Sequence, residues 1–248
     1  MPKTATSALQ VLLSPYGEIV LSRASQGKHL SPDGVRARYA EFFERCIPYE
    51  EFVSFGVVRD PVSWLLSWYN FRARKKLSNP LHPNHSNYTG NIGFSEFVEE
   101  FFSRHPRSFA KLTNQSQFYG FDGKRVNVTC LLRHSQLSDD MRVLTEVIPA
   151  DCVRLLSNLK VNVSHATLAT SAVEPWMVAK INSGLECDVE LYRRFGGATA
   201  ASVRRPAWLG SRSRHLTWFF DTRYPRDRLI TIGNKISARL QRFRASPA

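Results

Sequence analysis

The chain has 248 residues, a size for one α/β core with an appendage. Hydrophobic residues make up 43%, with 16 Phe and 5 Trp, which excludes a globally disordered chain. The formal charge of +13 is uneven: residues 197–248 hold ten Arg and one Lys against two Asp and no Glu, a net of +9. No uninterrupted apolar run approaches the ~18 residues of a membrane span, and no basic-then-apolar leader opens the chain. The expectation is a soluble, cytoplasmic protein rather than a Golgi-lumenal one.

The first segment, MPKTATSALQVLL, sets Lys3 beside Thr4, Thr6 and Ser7 ahead of a helical apolar run through Leu9, Leu12 and Leu13. Hydroxyls and N–H groups at a helix start, with a lysine alongside, can cradle an anion. A polar cap on an ordinary helix has the same appearance. The glycines of a Walker A loop are absent. SPDGVRARYAEFFERCI predicts a helix with Ser31 as cap, Pro32 in the first turn and Val35, Tyr39, Phe42, Phe43 and Cys46 on one face.

Phe52–Val58 reads as a buried strand, and Pro61–Lys76 as a helix with Pro61 in its first turn. Between them stands Arg59-Asp60, a fixed charge pair where a strand ends. Arginine offers a planar fork to a phosphate there, with the helix dipole behind it; the alternative is that Arg59 and Asp60 pair with each other or cap the helix. Arg72, Arg74, Lys75 and Lys76 trail this helix as a basic run, either a solvated face or a recruiter of an anionic acceptor.

An Asn/Pro/Gly loop follows over residues 77–93. It holds His82 and His85, but Pro83 between them breaks the helix that a metal pair would need, so no metal site is assigned. Phe94–Arg104 and Phe109–Tyr119 predict two helices, Asn127–Leu132 a second strand, Ser138–Ile148 a helix capped by Ser138, and Glu174–Phe195 a helix or helix pair. Strands alternating with helices imply a mainly parallel sheet, with ligands at the strands' carboxyl ends. Cys46, Cys130, Cys152 and Cys187 form no CxxC pair and read as reduced core thiols. The Asn-x-Ser/Thr triplets at Asn84, Asn87, Asn114, Asn127 and Asn162 are taken as accidental. His134 and His165 are read as structural.

PKTATSAL followed some fifty residues later by VVRDPVSWLLSWY resembles the sulfotransferases that use 3′-phosphoadenosine-5′-phosphosulfate (PAPS), in their carbohydrate and bacterial branch. Lys28-His29, the NQSQFY helix, CLLRH, and NVS followed by DVELYRRF are similar in order. The resemblance covers residues 2–196 and leaves 197–248 as a basic, Arg-rich extension. It implies an α/β fold of P-loop-like type, three layers with a mainly parallel central sheet flanked by helices. It also implies sulfuryl transfer from PAPS, without a metal, to a hydroxyl acceptor that is a carbohydrate or another anionic molecule; nucleic acid is not implied as a partner. By position, Lys3 would contact the bridging and sulfuryl oxygens, Thr4, Ala5, Thr6 and Ser7 the 5′-phosphate, and Arg59 and Ser67 the 3′-phosphate. His29, in a polar turn between the two motifs, matches a family histidine and is the candidate general base.

Three departures from the family pattern stand out. Ala5 occupies a position usually held by glycine, with a strain of about 1 kcal/mol if φ is positive there. Arg133-His134-Ser135 stands where arginine, an aromatic and glutamate are usual. The central strand that precedes the 5′ loop in this fold is represented only by Met1, which would leave two neighbouring strands without partners. A start lying upstream is the expectation; a truncated, inactive nucleotide-binding homologue is the alternative. Two other classes compete: a polyanion- or nucleic-acid-binding module led by the tail, and a different P-loop enzyme such as a kinase.

Overall fold

The computed structural model describes residues 1–14, 29–145, 148 and 168–197. Its helices are α1 (Thr6–Leu13), α2 (Pro32–Arg38), α3 (Ala40–Arg45), α4 (Pro61–Arg72), α5 (Phe94–Phe101), α6 (Gln115–Phe118), α7 (Leu137–Asp140), α8 (Pro175–Gly184) and α9 (Glu186–Phe195). Strands β1 (Phe55–Val58) and β2 (Cys130–Arg133) pair in parallel, Phe55 opposite Cys130 through Val58 opposite Arg133. The class is therefore mixed α/β, with a two-stranded parallel sheet among the described residues. The two strands are each other's partners directly, so neither is left without a neighbour as the sequence had implied.

The sheet separates two apolar clusters because side chains alternate along a strand. Val57 and Leu132 face one way, into a cluster with Leu12 of α1, Leu137 of α7 and Met141. Val58 and Leu131 face the other way, against Phe118 of α6, Tyr119 and Leu191 of α9. A third and larger cluster joins α4, α5 and α8 through Trp64, Phe97 and Ile181, all fully buried.

Local sequence explains several boundaries. Ser31 caps α2 by accepting from Gly34 N at 3.1 Å, with Pro32 in the first turn. Asp60 caps α4 by accepting from Ser63 N at 2.9 Å, ahead of Pro61. The expected helix from Ser31 to Cys46 is broken at Tyr39 into α2 and α3. The predicted helix over 109–119 shrinks to the four residues of α6: its first two N–H groups, Gln115 N and Ser116 N, donate at 2.9 and 2.8 Å to the carboxylate of Asp188 in α9. That external cap fixes where the helix begins. Ser138 is not a cap either; α7 starts at Leu137 and gives way to a 3₁₀ turn at Met141. Of the cysteines, Cys130 is buried and held up near a pKa of about 11 by desolvation, whereas Cys46 and Cys187 are exposed rather than in the core.

No helix among the described residues is long and apolar enough to cross a membrane. Lys28, Cys152, Asn162, His165 and the basic extension 198–248 lie outside the described residues.

Candidate functional site

The site is built where β1 ends. Arg59 leaves the strand with its backbone held on both sides by one side chain: Arg59 N donates to Gln115 Oε1 at 2.8 Å, and Gln115 Nε2 donates to Arg59 O at 2.7 Å. Gln115 is fully buried and is itself positioned by the Asp188 cap on α6. One residue pair earlier, the Tyr119 hydroxyl accepts from Val57 N at 3.0 Å and donates to Val57 O at 2.8 Å. Gly56 makes room for this ring; a Cβ there would stand 2.4 Å from Tyr119 Cε1. Two side chains from the α6 segment thus satisfy the edge of β1 that faces away from β2.

The arginine side chain turns toward the N-terminal loop. Its Nη1 donates to Lys3 O at 3.4 Å, and its Nε lies 3.4 Å from Ser63 Oγ. Asp60 does not neutralise it by an ion pair, because that carboxylate caps α4. The sequence alternative in which Asp60 serves as a helix cap is therefore the arrangement found, and it leaves the guanidinium available. Burial holds Arg59 below its ordinary value, with Asp60 pulling the other way.

The loop Met1–Ala5 is tightly wound. Lys3 and Ala5 are both left-handed, with φ of 68° and 61°, the positive φ that the glycine position of the motif had suggested for Ala5. Thr4 is 1% exposed, and its hydroxyl donates to Met1 O at 2.8 Å; the Thr6 hydroxyl donates to the same oxygen at 2.6 Å. These two hydroxyls hold the loop, and in this arrangement their protons are not presented to a ligand. Ser7 sits in the first turn of α1, where helix N–H groups lack intrahelical partners.

Lys3 is poised rather than paired. Its ammonium lies 4.5 Å from the centre of the Phe71 ring, whose environment it shares with Arg74 at 4.8 Å. Burial, then repulsion from Arg74 and Arg59, bring its pKa down to about 8. Ser63, Ser67, Phe71 and Arg74 form one stripe of α4 and its exit, by helical spacing. Ser63 touches Arg59 and Phe71 touches Lys3, and the half-buried Ser67 shares their helix face.

Lys3 and Arg59 are therefore brought together, with Ala5, Thr6 and Ser7 following Lys3 in the same loop and first helical turn and Ser67 on the helix face that carries Ser63 and Phe71. His29 is placed differently. It lies exposed in the turn before α2, and α2 is fastened to the segments that enter the strands: Asn127 Nδ2 donates to Asp33 at 2.8 Å, and Arg36 bonds Glu50 at 3.1 Å. His134, which the sequence had assigned to structure, feels both Arg59 and Lys3.

Two further assignments change. Arg72 does not belong to an exposed basic run: it is buried, donates to Ser108 O and Phe109 O, stacks on Trp68 at 4.7 Å, and is lowered to about 10 by burial. Lys75 and Lys76 are exposed. Arg133 is committed to the buried Asp140, through Nε at 3.1 Å and Nη2 at 2.8 Å. With Asp60, Gln136, Tyr192 and Arg193 it lines a cavity of about 390 Å³. That cavity is on the α9 side of the strand ends, whereas Lys3 and Arg59 meet on the α1 side. Sequence reasoning missed Ser63, Phe71 and Gln115; helical spacing from Ser67 was the available signal for the first two.

In comparisons with known proteins, no family model, no curated protein and no solved structure matches the chain.

Proposed function

We propose that the chain is a PAPS-dependent sulfotransferase of P-loop-like three-layer fold, acting on a hydroxyl of a carbohydrate or other anionic acceptor. The observation that carries this reading is the meeting of Lys3 and Arg59: two partly desolvated cations, the guanidinium of one seated on the backbone carbonyl of the other, with the Lys3 ammonium repelled by Arg59 and no carboxylate paired to either among the described residues. Such an arrangement is unfavourable until an anion enters, and perturbed charges of this kind mark binding sites. PAPS supplies a sulfuryl group on a phosphate leaving group, together with a 3′-phosphate.

In this reading Arg59 and Ser67 hold the 3′-phosphate. Lys3 and the N–H groups of Ala5, Thr6 and Ser7 take the 5′ end, where negative charge grows on the leaving oxygen. The acceptor oxygen forms a bond to sulfur as the bond from sulfur to the 5′-phosphate oxygen breaks, leaving adenosine 3′,5′-bisphosphate. The acceptor's proton passes to a general base; the sequence assigns His29, which lies in the turn before α2 rather than beside Lys3 and Arg59.

Calorimetry with adenosine 3′,5′-bisphosphate tests the site. Binding by the native chain, lost in Lys3→Ala and Arg59→Ala, supports it, and equal heat from both variants rejects it. His29→Ala is expected to keep nucleotide affinity and lose turnover; unchanged turnover removes it from the reaction.

A further inference from the structure

The parallel register sets Arg59 and His134 side by side. Val58 is opposite Arg133, so the next residue of each chain leaves the sheet at the same level. Alternation sends both toward the face of Val57, Leu132 and α1, the side on which Lys3 meets Arg59. His134 is half-buried there, and its ring makes no hydrogen bond among the described residues. We propose that His134 is a third cationic ligand of the anion site, beside Arg59 and Lys3, and acquires a proton as the anion arrives. This rests on the anion-binding half of the functional reading and not on the nucleotide.

The surrounding charges favour that role. Lys3 from the N-terminal loop and Arg59 from the turn before α4 act on the ring, and both are positive. Nearby carboxylates are engaged elsewhere: Asp140 with Arg133, Asp139 with Arg142, and Asp60 with the start of α4. Tyr192 of α9 shares a hydrogen bond with Ser135, and α1 carries no titratable side chain. Burial first, then Arg59 and Lys3, bring His134 down to about 4, so the imidazole is neutral in the free protein at neutral pH. An anion between the cations reverses the local field, and the imidazolium becomes a donor to it. By reciprocity the protonated form binds the anion more tightly. Affinity therefore rises as pH falls through the bound-state pKa and levels off below about 4, where the free ring is already charged.

The test follows the His134 ring by NMR through a pH titration of the full chain, alone, with inorganic sulfate and with adenosine 3′,5′-bisphosphate. Sulfate stays a dianion throughout, so its own protonation does not enter. The expected result is an upward shift of about one pH unit or more with either anion. In His134→Asn the low-pH gain in affinity disappears, while the loss of affinity at alkaline pH, set by Lys3, remains. Independently of any ligand, Lys3→Met and Arg59→Met should each raise the His134 pKa in the free protein. An anion that binds without moving His134, or a pKa unchanged in both methionine variants, overturns the proposal. Failure of both anions to bind overturns it together with the functional reading. If sulfate binds and shifts the ring but the bisphosphate binds no tighter than sulfate, the nucleotide reading falls and the role of His134 stands.

Discussion

Ala5 is the residue where sequence and backbone geometry meet most directly. Its φ of 61° places a Cβ where glycine is at ease, so Ala5→Gly is expected to relieve local strain. Because the same change loosens the unfolded chain, the gain in stability should be no more than about 1 kcal/mol in urea unfolding. Lys3 makes a sharper prediction. An anion favours its charged form, so affinity for adenosine 3′,5′-bisphosphate should be high below about 8 and fall as pH rises through that value. Calorimetry from about pH 6.5 to about 11 brackets the shifted lysine and its ordinary range, and checks the sign. The Lys3 and Arg59 positions were legible because local motifs carry them. The roles of Thr4 and Thr6 were not, since their acceptor is a backbone oxygen, Met1 O, that only the folded loop supplies.

At the scale of elements, α9 governs α6 and through it the site. Asp188 is fully buried and accepts two backbone N–H groups. Asp188→Ala leaves both donors unpaired, with an expected loss of about 2–4 kcal/mol in denaturant unfolding. It should also weaken anion binding, because Gln115 holds the backbone of Arg59. The α2 and α4 starts could be read from Ser31, Pro32, Asp60 and Pro61, all local signals. The start of α6 could not, since its cap lies 72 residues away in sequence. The strand pairing had the same character: both strands were visible as apolar runs, but their direct partnership and its register follow from tertiary packing. Without that register the neighbourhood of His134 could not be read.

Over the whole molecule, a net charge of +13 raises the local concentration of any anion before it reaches Lys3 and Arg59. Affinity and association rate should both fall with salt, as the screening length shrinks from ~10 Å at 0.1 M to ~3 Å at 1 M. A titration of the bisphosphate at several ionic strengths measures this. A flat response would mean that only the immediate contacts matter. The division of the strand ends into a cationic α1 side and a cavity on the α9 side was beyond the sequence, because it depends on which clusters Val57 and Val58 enter. Tyr119 and Gln115 bear on how the protein meets others. By occupying the outward backbone groups of residues 57 and 59 with side-chain atoms, they leave an approaching extended peptide nothing to zip onto there. Any partner that docks by strand addition is thereby turned away from this border.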